Sequence, residues 1–251
     1  MRRISKHFAG VQALREVDFV CEAGEVHALV GENGAGKSTL MQVLAGAYQA
    51  DSGEIRLRDQ PIALRNPLMA QQLGISAVYQ EFNLIPQLDV AQNLLLHREP
   101  RGRLGLLDSP ALYARGKEIL ATLDLDIDPH TPTGRLSVAQ QQLVEISRAL
   151  SFDASLLIMD EPTASLTQHE QERLFQIIRR LRQRGVGIIY VSHRLDEIFA
   201  IADRVTVLRD GESVGTNQID SINEAQLIRM MVGREVSTIY PPRSQSPLGV
   251  I

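Results

Sequence analysis

The sequence has little cysteine, little net charge and no long hydrophobic run, and each scarcity excludes a class of protein. Cys21 is the single cysteine among 251 residues, so no internal disulfide can form, which suits a reducing cytosol. Cys21 lies in an alternating apolar stretch, which favours a small buried side chain over a reactive thiol. The net charge of -4 gives no general attraction to nucleic acid.

No apolar run approaches the roughly 20 residues needed to cross a bilayer, and Met1 to Ile4 lead into no apolar signal region. We therefore expect the chain to be soluble by itself and to work at a membrane only through a partner. Its hydrophobic fraction of 44% is ordinary for a globular protein. Its length allows one large α/β domain or two small ones.

The stretch from Gly31 to Thr39, here called the phosphate loop, reads GENGAGKST and matches the pattern G-x-x-x-x-G-K-S/T. An apolar run over 26–30 predicts a buried strand before it, and 39–45 have helical spacing after it. A glycine-rich turn that matches by chance is the alternative, and the flanking strand and helix disfavour it.

The residue types of the phosphate loop explain how it would hold phosphate. Glycine permits backbone angles that let successive amide groups converge on phosphate oxygens at a helix N-terminus, where the helix dipole favours anions. Lys37 would reach the β and γ phosphates, and the Ser38 hydroxyl would contact a magnesium ion bridging them. The residues expected to bind nucleotide are Gly31, Asn33, Gly34, Ala35, Gly36, Lys37, Ser38 and Thr39.

The stretch from Ala154 to Pro162 predicts a buried strand that ends in two carboxylates. Asp160 would hold magnesium, usually through water, and Glu161 would act as general base or water-orienting group. The alternative is that Asp160 caps the next turn and Glu161 is a solvated loop charge. The phosphate loop elsewhere in the chain favours the functional interpretation.

Three further side chains lie at predicted strand ends. Gln80 ends a strand that starts at Ile75, and His193 ends one at 185–191, joined to the carboxylate strand by a helix over 168–184. Ligands of open α/β sheets gather at the carboxyl ends of strands, so both are site candidates. Phe8 lies at the tip of the first strands, where stacking on a base and plugging the sheet are equally compatible with the spacing.

Alternating apolar and polar residues over 4–22 predict strands with one solvated face, and 86–150 read as helices. The fold class is therefore α/β, with an antiparallel β subdomain and an α-helical insertion.

Ser137 is expected to cap a helix whose apolar stripe is Val138, Leu143, Ile146 and Leu150. The division expected is 1–85 (antiparallel β subdomain and first part of the core), 86–150 (helical subdomain), 151–220 (second part of the core) and 221–251 (C-terminal helix and linker).

Taken in order, these residues resemble the ATP-binding subunits of ABC transporters over almost the whole chain. The resemblance is carried by the phosphate loop, Gln80, the sequence Leu136-Ser137-Val138-Ala139-Gln140, Leu157 to Pro162, Ser165 to Thr167 and His193. It implies a P-loop NTPase (RecA-like) core, ATP and Mg²⁺ as cofactors, and ATPase activity.

The resemblance also implies roles for single residues. Phe8 matches the aromatic that stacks on adenine, and Gln80 matches a glutamine that touches magnesium and relays contact with the membrane subunit. Ser137, Ala139 and Gln140 belong to the LSGGQ-like signature, which binds the γ-phosphate of ATP held by the opposite domain. His193 matches a histidine that contacts the γ-phosphate. The catalytic set is then Glu161, His193 and Gln80, and the metal set Ser38, Gln80 and Asp160.

Within the family, 77–86, 90–93 and 230–235 resemble monosaccharide importers of the ribose, galactose and xylose type, whose ATPases usually carry two nucleotide-binding domains. Residues 240–243 resemble the linker to a second domain, and the N-terminus resembles a start inside the family's first strand. The partners implied are a second nucleotide-binding domain, in the same full-length chain or a homodimer, and membrane permease subunits. Neither nucleic acid nor direct sugar binding is expected, and the location implied is the cytoplasmic face of the inner membrane, peripherally.

One departure concerns the signature, where Val138 and Ala139 replace two glycines. A methyl group at Ala139 narrows the approach of backbone to phosphate, so weakened contact in trans is expected. Two other functions stay open: a nucleotide-binding module with negligible hydrolysis when isolated, and a soluble ABC ATPase acting on ribosomes or DNA. Absence of basic arms and of a long coiled-coil insertion disfavours the latter.

Overall fold

The computed structural model describes residues 1–79, 83–103 and 105–233, and both strands and helices occur along this part of the chain. The strands are β1 (Arg2–Phe8), β2 (Val11–Val17), β3 (Val26–Val30), β4 (Ser52–Leu57), β5 (Gln60–Ile62), β6 (Ile75–Val78), β7 (Leu156–Asp160), β8 (Gly187–Val191), β9 (Arg204–Arg209) and β10 (Glu212–Gln218). The α-helices are α1 (Lys37–Leu44), α2 (Pro67–Gln72), α3 (Val90–Leu94), α4 (Ser109–Ala121), α5 (Val138–Leu150), α6 (Gln168–Gln183), α7 (Leu195–Ile201) and α8 (Glu224–Val232). Within these described ranges, no helix is long and apolar enough to cross a bilayer.

A six-stranded sheet in the order β10-β9-β3-β8-β7-β6 forms the centre of the fold. Its neighbours pair in parallel from β9 to β6, and only β10 runs antiparallel to β9. Every residue of β3 and β8 is buried. Val26, Ala28 and Val30 pack into one core cluster and Leu29 into the other, so apolar side chains cover both faces of the sheet.

A second, four-stranded antiparallel sheet has the order β2-β1-β4-β5. Ile4, Leu14 and Val17 point into the same core cluster as Leu40 and Met41 of α1. The loosely alternating N-terminal pattern arises because one face of these strands is buried in this way and the other is solvated. The predicted α/β class is confirmed.

Helices α3, α4 and α5 lie between β6 and β7 in the chain, where the helical insertion was expected. The Asn93 amide, 0% exposed, holds the start of this region. It accepts a hydrogen bond from the Ile85 backbone N–H (2.8 Å) and donates to the carbonyl oxygen of Leu88 (3.2 Å) and to Thr133 Oγ1 (3.2 Å). Helix α3 ends at Leu94, and His97 shortly after it has a left-handed φ of 65°.

Helix α5 begins with the predicted cap. The Ser137 hydroxyl accepts from the Gln140 backbone N–H (3.2 Å), and the Gln140 side chain accepts from the Ser137 N–H (3.0 Å). The prediction that Val138 belongs to the buried stripe is wrong, because its side chain is 42% exposed. Gln142 and Glu145 are buried one and two turns further along the same side, and Ala139 is buried beside Val138, so only the outward position of Val138 at the start of the helix is exposed.

The loop between β3 and α1 depends on two glycines for different reasons. Gly36 has φ 102°, and a Cβ there would lie 2.7 Å from the Ala13 carbonyl oxygen and 2.9 Å from Leu14 Cδ2. Gly34 has φ 85°, but a Cβ there would meet nothing within 4 Å. Gly36 therefore needs both its backbone freedom and its missing side chain, whereas Gly34 needs only the first.

We predict that Gly36→Ala destabilises the ligand-free chain more than Gly34→Ala. Each change costs roughly 1–2 kcal/mol for a left-handed alanine, and only Gly36→Ala adds the displacement of β2 backbone. Urea unfolding of both variants measures the difference. Equal losses of stability would show that the Ala13 carbonyl does not confine the loop.

Candidate functional site

The phosphate loop and the end of β7 border one open cavity of about 570 Å³. Asn33, Gly34, Gly36, Lys37, Ser38 and Thr39 line it from the loop and α1, and Asp160 and Glu161 line it from β7. They meet because β3 and β7 both pair in parallel with β8, so their carboxyl ends reach the same edge of the sheet. Two distant stretches of sequence thus form one site.

Gly31 and Ala35 support the loop from behind. Both are buried, and a Cβ on Gly31 would collide with the Leu208 carbonyl oxygen of β9. The Ala35 carbonyl accepts a hydrogen bond from the Gly211 backbone N–H at 3.2 Å. These two residues fix the loop against the β9–β10 hairpin.

The Lys37 ammonium group folds back onto its own loop. It donates to the carbonyl oxygens of Gly31 (2.8 Å) and Glu32 (3.0 Å), and the residue is 9% exposed. Burial lowers the pKa of Lys37, while the nearby charges of Glu161 and Asp160 act in the opposite direction. The ammonium group therefore lies at the cavity wall, with two neutral carbonyl oxygens as its hydrogen-bond acceptors.

Asp160 and Glu161 differ in their surroundings although they are adjacent. Burial raises the pKa of Asp160, with the charge of Glu161 adding to the rise and Lys37 opposing it. Glu161 has φ 47°, a left-handed conformation that is uncommon for a residue with a side chain. Its backbone N–H donates to the Val191 carbonyl at 2.9 Å, so the end of β8 holds this strained turn in place.

His193, which follows β8, lies against Glu161. Its Nδ1 is 2.9 Å from Glu161 Oε1, and its ring is 63% exposed. The predicted β-α-β crossover formed by β7, α6 and β8 is confirmed, since β7 and β8 are parallel neighbours with Asp160 opposite Val191. His193 therefore contacts a carboxylate that lines the cavity, although it is not itself among the lining residues.

The signature residues lie at a different place. Ser137, Ala139 and Gln140 line a cavity of about 330 Å³ between α5 and α6, together with Leu166 and Arg173. None of the described residues that line this cavity also lines the one at the phosphate loop. The signature and the phosphate loop of this chain thus belong to separate surfaces.

The remaining two candidates have different outcomes. Phe8 ends β1 and is half-buried, with its ring centroid 5.0 Å from that of Tyr48 in an edge contact and 5.4 Å from Lys6 Nζ. This contact with Tyr48 is compatible both with stacking of Phe8 on a base and with Phe8 filling the end of the sheet. Gln80 lies outside the described residues.

Several residues at the cavity were not predicted from the sequence. Gln12 and Ala13 of β2, and Asp210 and Gly211 of the β9–β10 turn, line the same cavity as Lys37. The Asp-Gly pair signals a hairpin, and the structure confirms that hairpin. Its approach to the phosphate loop depends on tertiary packing, for which the sequence gives no local signal.

Cys21 and His27 are titratable groups away from the cavity. Burial raises the pKa of the Cys21 thiol to about 12, which favours the packed side chain over a reactive thiol. Burial, and then the charge of Arg204, lowers the pKa of His27 to about 3. The His27 ring, 0% exposed, pairs through Nε2 with Thr206 Oγ1 at 2.7 Å.

Comparison with known proteins supports the same family as the motifs. A family model described as ABC transporter matches residues 14–164. A protein of Agrobacterium fabrum, named as a ribose/galactose/methyl galactoside import ATP-binding protein, is 50% identical over 246 residues, 98% of this chain and 48% of that protein. A protein of the same name from Burkholderia cenocepacia is 55% identical over 236 residues, 94% of this chain and 46% of that protein. This chain spans about half the length of these curated relatives.

Solved structures agree with the fold. The crystal structure of the ADP conformation of an ATP-binding cassette of an ABC transporter has a TM-score of 0.77 at 26% identity, covering 95% of this chain and 96% of that one. A nucleotide-free ATP-binding cassette from an ABC transporter also has a TM-score of 0.77, at 25% identity, covering 96% and 97%. The predicted P-loop core and the sugar-importer resemblance are thereby confirmed, and this chain belongs to the ABC transporter family.

Proposed function

We propose that this chain binds ATP with Mg²⁺ and hydrolyses it, as one nucleotide-binding domain of the ATPase that powers a sugar importer. One observation carries the proposal: Lys37, Ser38, Asp160 and Glu161 line a single cavity. His193 adds to it by contacting Glu161 at 2.9 Å. The names of the relatives support sugar import as the process that the ATPase drives.

The phosphates would bind at the N-terminus of α1. Asn33, Gly34 and Ser38 are exposed there, and the open space beside Gly34 leaves room for phosphate oxygens. Lys37 would exchange its two neutral carbonyl acceptors for phosphate oxygens. Both the donor and the acceptor of the hydrogen bond would then be charged. Phe8 is proposed to stack on the adenine.

The residues present fit a magnesium ion. Ser38 supplies a hydroxyl and Asp160 a carboxylate on the same cavity, and Mg²⁺ is bound in such sites through one or two protein oxygens together with substrate phosphates. Gln80 is proposed as a third contact. When bound, the ion neutralises charge on the phosphate oxygens. The raised pKa of Asp160 would fall on binding a cation, because a positive charge favours the ionised carboxylate.

Glu161 is proposed to orient the attacking water and take its proton, and His193 to contact the γ-phosphate. The contact between Glu161 Oε1 and His193 Nδ1 limits where each group can turn, and it keeps His193 beside a carboxylate that lines the cavity. Glu161 also lies close enough to Lys37 for its charge to oppose the fall in the pKa of the lysine. These positions support proton transfer at Glu161 Oε1 or Oε2.

The signature is proposed to serve a second nucleotide-binding domain. Ser137, Ala139 and Gln140 lie on a surface of their own, so a phosphate held at this chain's loop would need the signature of another domain. That domain would lie in the same full-length chain or in a second copy. Permease subunits are the proposed membrane partners, with the ATPase bound peripherally at the cytoplasmic face and without sugar or nucleic acid contacts of its own.

Lys37→Ala is expected to weaken ATP binding, with Kd rising about 10- to 150-fold because a charged hydrogen bond contributes roughly 1.5–3 kcal/mol. Isothermal titration with ATP and Mg²⁺ measures the change. Lys117→Ala is the control, since Lys117 is exposed on α4. Unchanged ATP affinity in Lys37→Ala would refute the assignment of the phosphate loop.

Glu161→Gln is expected to lower steady-state phosphate release by about 100- to 10,000-fold, the range contributed by general acid–base catalysis, while ATP still binds. The amide keeps the size of the side chain but cannot take a proton. Glu172→Gln, exposed on α6, should hydrolyse ATP at the parental rate. Glu161 is not the base if its variant matches that rate.

Ala139→Gly is expected to raise turnover about two- to tenfold if the methyl group weakens a phosphate contact in trans by roughly 0.5–1.4 kcal/mol. Ala149→Gly, buried further along α5, controls for the effect of glycine on the helix. Phosphate release by the two variants is compared at saturating ATP. No change in Ala139→Gly would contradict the proposed effect of the signature substitution.

A further inference from the structure

A buried carboxylate lies behind the Glu161–His193 contact. Glu197 belongs to α7 and is 0% exposed. Its Oε1 accepts a hydrogen bond from Thr163 Oγ1 at 2.7 Å. Its Oε2 accepts from the Tyr190 hydroxyl at 2.7 Å and from Ser192 Oγ at 3.1 Å. Three hydroxyl groups, one from the turn after β7 and two from the end of β8, thus converge on one side chain.

The positions of these donors link Glu197 to both loops of the site. Thr163 is two residues after Glu161, and Ser192 is the residue directly before His193. Thr163 and Ser192 are each 2% exposed, so water does not compete for their hydroxyls. Glu197 therefore accepts hydrogen bonds from two buried residues, one in the turn that carries Glu161 and one in the turn that carries His193.

Arg194 completes the network. Its guanidinium lies 2.8 Å from Glu197 Oε1, donates to Gln171 Oε1 on α6 at 3.1 Å, and donates to Asp196 at 2.9 Å. Burial raises the pKa of Tyr190, and the charge of Glu197 raises it further, so the phenol stays protonated as a donor. A buried carboxylate costs free energy unless it is paired and fully hydrogen-bonded, and Glu197 meets both conditions.

We propose that Glu197 is a positioning residue, which sets the Glu161–His193 contact by holding Thr163 and Ser192. Its effect on turnover rests on the proposed ATPase function, whereas its effect on the His193 ring does not. A displacement of about 1 Å can lower a reaction rate about 100-fold, so a group that fixes two reacting side chains need not touch the substrate.

The variant that tests this role is Glu197→Gln, which keeps the side-chain volume and one acceptor oxygen but removes the charge that pairs with Arg194. Asp196→Asn is the matched control, because it makes the same chemical change on the neighbouring residue, at an exposed partner of Arg194. Thr163→Val removes one donor and tests the same network if Glu197→Gln does not fold.

The first measurement is the side-chain nitrogen NMR signal of His193, assigned among the 6 histidines by its loss in His193→Gln. Glu161→Gln shows how far the Nδ1 signal moves when the carboxylate contact is weakened. We expect Glu197→Gln, or Thr163→Val, to move the signal in the same direction, and Asp196→Asn to leave it in place. An unmoved His193 signal in folded Glu197→Gln would overturn the proposal.

The second measurement is phosphate release. Glu197→Gln should lower kcat about 10- to 100-fold with the KM for ATP changed less than about twofold, as expected for lost positioning rather than lost binding. In a His193→Ala background the same change should have a smaller effect, because the Glu161–His193 contact that Glu197 sets is already absent. Full additivity of the two changes would instead assign Glu197 a role independent of His193.

The two measurements separate the two proposals. If the His193 signal moves but the parental chain neither binds nor hydrolyses ATP, the proposed function fails and the positioning contact stands. If the parental chain hydrolyses ATP and Glu197→Gln changes neither kcat nor the His193 signal, the ATPase stands and the positioning role fails.

Discussion

Parallel pairing at the centre of the sheet is the constraint on which the rest of the site depends. β8 pairs with β3 on one side and β7 on the other, so the turns after all three strands open at one edge. Those turns deliver Lys37, Glu161 and His193, none of which is near another in the sequence. Since the three strands are almost entirely buried, the position of their ends is fixed by the core and not by the loops.

Groups of opposite charge lie close together at this edge. One buried ammonium group faces two adjacent carboxylates, and each group changes the proton affinity of another: Lys37 opposes the rise in the pKa of Asp160, and both carboxylates oppose the fall in the pKa of Lys37. Behind them, the Arg194 guanidinium pairs with the buried carboxylate of Glu197. Of this pair Glu197 is fully buried and Arg194 is partly exposed, so the carboxylate that supports the site from behind is out of contact with water.

The sequence predicted what depends on local pattern and motif. The strand before the phosphate loop, the cap at Ser137, and the helix that follows the carboxylate strand all follow from spacing and capping chemistry. It did not predict that Val138 is exposed, that Gln12 and Asp210 line the cavity, or that Glu161 adopts a left-handed conformation. Each of those depends on which elements pack together, information that no window of neighbouring residues contains.

The separation of the two cavities has a consequence for symmetry. Under the proposed function, two nucleotide-binding domains form two composite sites, and each combines the loop of one domain with the signature of the other. Val138 and Ala139, which stand where the signature pattern has two glycines, then affect only the site whose phosphate loop lies in the partner domain. If both domains lie in one polypeptide with different signatures, the two ATP molecules experience unequal chemistry, and one hydrolysis event can precede the other within a single transport cycle.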